Sequence, residues 1–266
     1  MVHTVVITEI EQIKDIIFDQ EFNSSINRNR SVFLYRGMPN KNFNLLTSLE
    51  RNCKNKAADL EFNILRNFTK YAVIEDPSIH DSVWKQLVMG QHHGLPTRLL
   101  DWTYSPLVGL HFATSGEAFN EIDLHDAVLW RIDIGEMNRL LPIQYQEKLQ
   151  NENANLFTLD MLDKVAGNLE RYDRDMESKA ILLLEPPSID HRIVNQYSYF
   201  LVVPKGLSDI EAFLNEKTEN TIKYVIDKNI KWRIRDMLDQ LNVNERVLQQ
   251  GLDGIGAWLK RHYYVM

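Results

Sequence analysis

Cysteine is nearly missing from this chain: Cys53 is the only one in 266 residues. An intramolecular disulfide and any multi-cysteine metal site are therefore excluded, and a lone thiol suits a reducing compartment, where it reads as a small buried hydrophobe. Long apolar runs are missing too. No window approaches the ~20 apolar residues that span a bilayer, and the opening MVHTVVITEIEQIKD has no basic region followed by an apolar stretch. These absences predict a cytoplasmic protein without a membrane partner. Basic charge is in the minority, with Lys and Arg at 30 against Asp and Glu at 37, a net charge of −7. That balance argues against a broad basic face for duplex nucleic acid and leaves a locally positive cleft open.

Familiar cofactor and catalytic motifs are also lacking. There is no GxGxxG after a strand, no GxxxxGK[ST], no GxSxG and no HExxH or HxxxH, so neither a dinucleotide fold of the Rossmann kind, a P-loop, a hydrolase elbow nor a helical zinc site is indicated. His92 and His93 are sequence neighbours whose side chains diverge on a helix. They read either as helix-end partners of carbonyls or of Asp101, or as site residues. No metal is expected.

What is present suffices for a globular core: hydrophobic residues make up 44 % and charged residues 25 %, ordinary values for a folded domain. The length fits one large domain. Periodicity predicts a strand at 2–8 and a helix from Ile10 to Ile17, then a strand at 31–37 that places Arg36 at a strand end. A connection follows at 45–51. A helix at 57–71 carries the apolar set Leu60, Ile64, Phe68 and Tyr71. A second helix, capped by Asp81, has the stripe Trp84, Leu87, Val88 and Gln91 and stops at Gly94 and Pro96. A short extended piece runs to Thr103, and Ser105-Pro106 opens a buried helix over 107–119. Strands are expected at 126–134, 179–184 and 192–203, the last bent near Tyr197-Ser198, and at 221–226. Helices are expected at 135–150, 157–169, 209–214, 230–241 and 245–262. Residues 135–170 read as a charge-rich helical surface insertion and 206–266 as a C-terminal helical part of the same domain. The fold class is α+β: a single domain, residues 1–266, with a split, mostly antiparallel sheet flanked by helices.

The densest chemistry lies in residues 91–114, QHHGLPTRLLDWTYSPLVGLHFAT. Arg36, Thr97, Arg98, Asp101, Arg192 and Gln196 form a set of arginine, amide, acid and hydroxyl groups at strand ends, suited to a phosphate-bearing or amide-bearing ligand because guanidinium binds phosphate bidentately. Each has a plainer reading. Asp101 and Arg98 could be a buried ion pair, Arg36 could pair structurally with Asp101 or Glu185, and Trp102 could be core or pocket wall.

Tyr35-Arg36-Gly37 with Leu46 and Ser48, the block from Gly90 to Thr114, Arg192-Ile193-Val194-Asn195-Gln196, and Leu248 with Leu252-Asp253-Gly254-Ile255 resemble the FRG domain, over roughly residues 33–259. The chain departs from that pattern with Tyr35 for the signature Phe, Gly109 for a usual Ala, and Tyr197 where a Gly often follows the Gln. FRG domains are similar in element order to ADP-ribosyltransferases, and the resemblance implies that type of fold with NAD as co-substrate. Arg36 then matches the first motif, and residues 97–103 with 106–113 match the hydroxyl-rich strand and its helix. The glutamate of the third motif is replaced by Gln196, with Glu185 and Asp190 just upstream. On this likeness Asp101 is the candidate catalytic carboxylate, Arg36 and Arg98 hold the pyrophosphate, and Gln196 orients ribose or acceptor. Tyr35 or Trp102 stacks on nicotinamide, and Gly37, His92, Thr97 and Arg192 complete the binding set. The implied function is a toxin or phage-defence ADP-ribosyltransferase acting on RNA, less readily on protein, with an antitoxin as a possible partner. The alternative is a non-catalytic FRG module that binds a nucleotide or a partner protein.

Overall fold

A computed structural model describes residues 1–116, 118–249 and 251–265; the expected helices at 107–119 and 245–262 each run across one residue, Glu117 and Gln250, outside that set. The strands are β1 (His3–Ile7), β2 (Glu21–Asn23), β3 (Arg28–Arg30), β4 (Phe33–Met38), β5 (Leu99–Thr103), β6 (Ala127–Asp133), β7 (Leu182–Leu184), β8 (Ser198–Val202) and β9 (Ile222–Ile226). Seven of them form one sheet in the order β1-β9-β6-β4-β5-β8-β7, and β2 with β3 makes a separate ribbon. Among the described strands β1 and β9 pair in parallel and the other pairs are antiparallel; Phe157 and Leu184 add an isolated parallel bridge. The α+β class and the mostly antiparallel sheet agree with the expectation from sequence.

The sheet is nearly two sheets. β4 and β6 stay in register from Phe33↔Asp133 to Met38↔Val128, and β5 and β8 from Leu99↔Val202 to Thr103↔Ser198, but β4 meets β5 only at Tyr35↔Thr103. From that single pair the two halves part.

In chain order the helices are α1 (Ile13–Ile17), α2 (Ser48–Cys53), α3 (Ala57–Ala72), α4 (Val83–His92), α5 (Pro106–Ala113), α6 (Ile134–Arg139), α7 (Ile143–Asn151), α8 (Leu159–Val165), α9 (Leu169–Met176), α10 (His191–Gln196), α11 (Ile210–Lys217), α12 (Lys231–Gln240), α13 (Glu245–Leu248) and α14 (Gly251–His262). One hydrophobic cluster packs α1, α5 and α12 against β1, β4, β6 and β9; another packs α3, α4 and α7 to α9 against β5, β7 and β8. A third continues across the parting from Leu34 and Trp130 to Trp102 and Leu201, with Ile134 and Met137 of α6 and Ile210, Phe213 and Leu214 of α11 packed into it. Alternation along each strand divides its side chains between these layers.

Several local expectations need correction. Residues 45–51 are not only a connection: the Thr47 hydroxyl accepts from Glu50 N and starts α2. The cap of α4 is Ser82 rather than Asp81, its hydroxyl accepting from Trp84 N and Lys85 N. The inward face of α3 is turned by one residue: Glu61, Leu65, Thr69 and Ala72 are buried while Leu60 and Tyr71 are exposed. That rotation delivers the Glu61 carboxylate to the buried Arg98. Residues 135–170 are no surface insertion, because Tyr145, Phe157 and Leu162 are fully buried core residues. Most of their charged positions point to solvent, though Glu136 is buried and accepts from Glu219 N and Asn220 N, while the apolar positions close one side of the sheet. The stretch 206–266 is helical apart from β9, the strand expected at 221–226, which lies between β1 and β6.

The expected strand at 192–203 is the largest departure. Asp190 caps α10 by accepting from Ile193 N, α10 ends at Tyr197 in the left-handed region (φ 50°), and β8 begins only at Ser198. Alternating branched residues look like strand over a short window, and a single cap with a left-handed break was enough to redirect them.

A candidate ligand cleft at the parting of the sheet

Where β4 and β5 diverge there is a cleft of about 320 Å³, floored by Arg36, Gly37, Asp101 and Trp102 and walled by Gln91 of α4, Phe112 of α5, Ser115, and Arg192 and Gln196 of α10. Its chemistry is built in layers. The Thr97 hydroxyl donates to Gln91 Oε1 (2.6 Å), which fixes the amide so that Gln91 Nε2 donates to Asp101 Oδ2 (2.9 Å). Thr97 is itself buried, with its backbone N donating to the Ser48 hydroxyl at 3.0 Å. A rigid hydroxyl therefore aims an amide, and the amide aims a carboxylate.

Arg36 sits beside that carboxylate. It lies within β4, opposite Trp130, rather than at the strand end expected from sequence. Its Nη1 donates to the Asp101 backbone carbonyl (2.6 Å) and stands 4.0 Å from Asp101 Oδ2, while its Nε is buried with no hydrogen-bond partner. Burial pulls the guanidinium pKa below its ordinary value; Asp101 opposes the shift and Arg51 adds to it. The Asp101 side chain remains 59 % exposed, so the acid faces the cleft. Arg192 has no hydrogen bond or ion pair among the described residues and supplies a second positive group.

Gly37 serves packing. A Cβ there would stand 1.9 Å from the Gly109 carbonyl oxygen and 2.4 Å from Ala113 N, and a Cβ on Gly109 would meet Leu129 Cδ1 at 2.6 Å. The two glycines let α5 lie directly on β4 and β6, which brings Phe112 and Ser115 to the cleft wall. Tyr35 and Trp102 are core residues whose edges reach the cleft, and Trp102 Nε1 has no partner. Burial, with Tyr224 next, drives the Tyr35 phenol pKa well upward.

Gln196 reaches the cleft from the end of α10. Its Nε2 donates to Leu248 O (3.0 Å), its carbonyl accepts from the Thr103 hydroxyl (2.7 Å), and neighbouring Asn195 Nδ2 donates to Val247 O (2.8 Å). The two amides tie α10 to α13. At the other end of α10, His92 Nε2 lies 2.6 Å from Asp190 Oδ2. His92 is thus a clamp on the cap of α10 and not a cleft residue, and Thr97 acts only through Gln91.

Arg98 is elsewhere. Its Nε donates to Glu61 Oε1 (2.7 Å), its Nη2 also to Glu61, and its Nη1 and Nη2 to the partly buried Asp173, ahead of β5 and away from the cleft lining. Burial opposes its charge, but these two carboxylates outweigh burial and raise its pKa. The expected Asp101–Arg98 pair does not form, and Arg98 is not available to a pyrophosphate in the cleft. Gln91, Phe112 and Ser115 are cleft residues that sequence reasoning passed over. For Gln91 the available signal was a polar side chain on the buried stripe of α4. Among the described residues no group of three or more His, Cys, Asp or Glu is placed to hold a metal ion, and no helix is long and apolar enough to cross a membrane.

Fold and cleft together define an α+β protein with an arginine, an exposed acid and an oriented amide where its antiparallel sheet parts. The FRG domain family model matches residues 31–121, the segment from β4 past α5 that holds Arg36, Gln91 and Asp101; Arg192 and Gln196 lie beyond it. No curated protein and no solved structure matches the chain.

Proposed function

We propose that the protein is an NAD-dependent ADP-ribosyltransferase whose cleft between β4 and β5 takes the dinucleotide. The observation that carries this reading is the Asp101 carboxylate, open to the cleft, fixed by Gln91 and flanked by Arg36. Arg36 and Trp102, whose buried Nε and Nε1 have no hydrogen-bond partner, also line the cleft. Arg36 and Arg192 would hold the phosphates, and Phe112 and the edge of Trp102 offer apolar surface for a ring. NAD, when bound, supplies the activated glycosidic bond to nicotinamide. Asp101 would stabilise positive charge developing at the ribose and accept the proton of an incoming nucleophile. Gln91 keeps the acid oriented, and Gln196, anchored to α13, keeps α10 against the cleft.

A second reading, a nucleotide-binding module without transfer, is favoured by one observation: Gln196 stands where the resemblance asks for a glutamate and its amide is engaged with Leu248. Labelled NAD incubated with the protein and a cell extract separates the two. Release of nicotinamide and label transfer, lost in Asp101→Asn, are expected; NAD binding with neither release nor transfer would establish the module instead.

A further inference from the structure

Tyr197 is in a costly conformation. It ends α10 with φ 50° and ψ 52°, a left-handed geometry that glycine adopts freely and a tyrosine does not. The phenol ring so placed is 52 % exposed. It stands edge-on to Tyr104 with ring centroids 5.4 Å apart, and Tyr199 packs 6.2 Å from both. Tyr104 is held in turn by its hydroxyl, which donates to Ser31 O. A strained, half-exposed ring on a fixed aromatic support is a surface for another flat group.

That surface is one wall of a trough of about 590 Å³ whose opposite wall is the β2–β3 ribbon with Arg28 and Arg30. Both arginines are exposed, and neither forms an ion pair among the described residues; Arg30 makes only a local bond to Asn29 O (2.9 Å). The one acid along the trough, Asp19, is occupied by Arg131. Glu21 stands opposite Arg30 on the ribbon but forms no ion pair with it, so the trough presents two arginines free of salt bridges in a chain of net charge −7. Tyr35 borders both trough and cleft, and Ser198, next to Tyr197, lines the cleft. The trough therefore adjoins the cleft that holds the Asp101 carboxylate.

We infer that this trough binds single-stranded nucleic acid, with an unpaired base stacked on Tyr197 and Tyr104 and the flanking phosphates on Arg28 and Arg30. Aromatic platforms combined with arginines are the general means of holding unpaired bases, and duplex bases have no free face to offer. The inference rests on the proposed transfer activity only in taking the bound strand to be the acceptor; the binding itself does not require NAD.

The test is fluorescence anisotropy of short mixed-sequence oligonucleotides, RNA and DNA in separate arms and duplex as a third, added to the full chain without NAD. Either or both single strands should bind, more tightly than duplex, and the difference between those two arms identifies the sugar recognised. Tyr197→Gly should raise the melting temperature by relieving the backbone and yet weaken binding about tenfold. Tyr197→Phe should bind as the parent does. Arg28→Ala with Arg30→Ala should weaken binding and lower the slope of log affinity against log salt by ~0.7 for each arginine removed. Equal affinity for duplex, or binding by Tyr197→Gly and by the double arginine variant at parental strength, would overturn the inference, as would no binding of either single strand. Strand binding with these sensitivities but without label transfer would uphold the trough and defeat the transferase reading; label transfer confined to protein with no strand binding would do the reverse.

Discussion

Arg98, just before β5, and Asp101, within it, are three residues apart and meet opposite fates. Arg98 is enclosed, its donors shared between Glu61 and Asp173 from two helices. Asp101 is open, with one amide bond from Gln91 and an arginine at 4.0 Å. In the first cluster the charges are mutually paired; the second is oriented but incompletely satisfied. Two charged groups of similar appearance in the sequence are thereby divided, one locked into the fold and the other open to the cleft. A buried ionic group is tolerated only when its partners are complete, and a group meant for a ligand must keep capacity free.

The comparison is broken most directly by removing each arginine. Arg98→Ala leaves Glu61 and Asp173 facing each other without a cation, and a loss of about 3–5 kcal/mol is expected from denaturant unfolding. Arg36→Ala should leave stability within about 1 kcal/mol, because its retained contacts are one carbonyl bond and a partly solvated pair. Equal destabilisation by both would show the two clusters to be alike. On the activity side, Asp101→Asn keeps shape and the contact to Gln91 but removes the charge. If the cleft performs transfer, nicotinamide release should fall by roughly 10²–10³ with the melting temperature unchanged.

A third buried cluster sharpens the contrast through pH. His111 Nδ1 accepts from Arg235 (3.0 Å), and Arg235 and Arg261 meet Glu245 and Asp239 where α5, α12, α13 and α14 converge. Burial, then Arg235, lowers the His111 pKa to about 3. The unfolded chain, with His near ~6.5, therefore takes up this proton first. Stability should decline as pH falls from ~6.5 toward ~3. Burial opposes the charge of Glu245, but Arg261 and Arg235 outweigh it and lower its pKa to about 2, so a further loss sets in below ~4.5. Melting temperatures between pH 7.5 and 5 should slope downward in the parent and be flatter in His111→Gln. The smallest effect is expected from Gln91→Ala. It should cost about 1 kcal/mol in stability, measured by the same unfolding, and should reduce nicotinamide release less than Asp101→Asn does, since Asp101 keeps its charge and loses only its orientation.

Much of the framework was legible in the chain itself. Ser105-Pro106 does open α5, with the Ser105 hydroxyl accepting from Val108 N, because a cap acts within one turn and needs no distant partner. The β4, β5 and β6 strands were legible from local composition, and Arg36, Asp101, Gln196 and Arg192 do reach one cleft. The positions that failed depend on partners remote in sequence. The inward face of α3 was misplaced because Glu61 turns inward to meet Arg98. Residues 192–203 were misread because the Asp190 cap and the left-handed Tyr197 compete with β-propensity, and His92 and the contacts of α13 hold the outcome in place.

Capping and periodicity act over a few residues, so the chain alone announced α5 and most strands of the sheet, although the capped starts of α2 and α10 passed as a connection and a strand. Tertiary packing settled that β4 and β5 touch at one pair and then part, that Arg98 is neutralised by Glu61 and Asp173, and that Asp101 is left open. Those outcomes turn on which groups meet across tens of residues, and on whether each buried charge finds its partner.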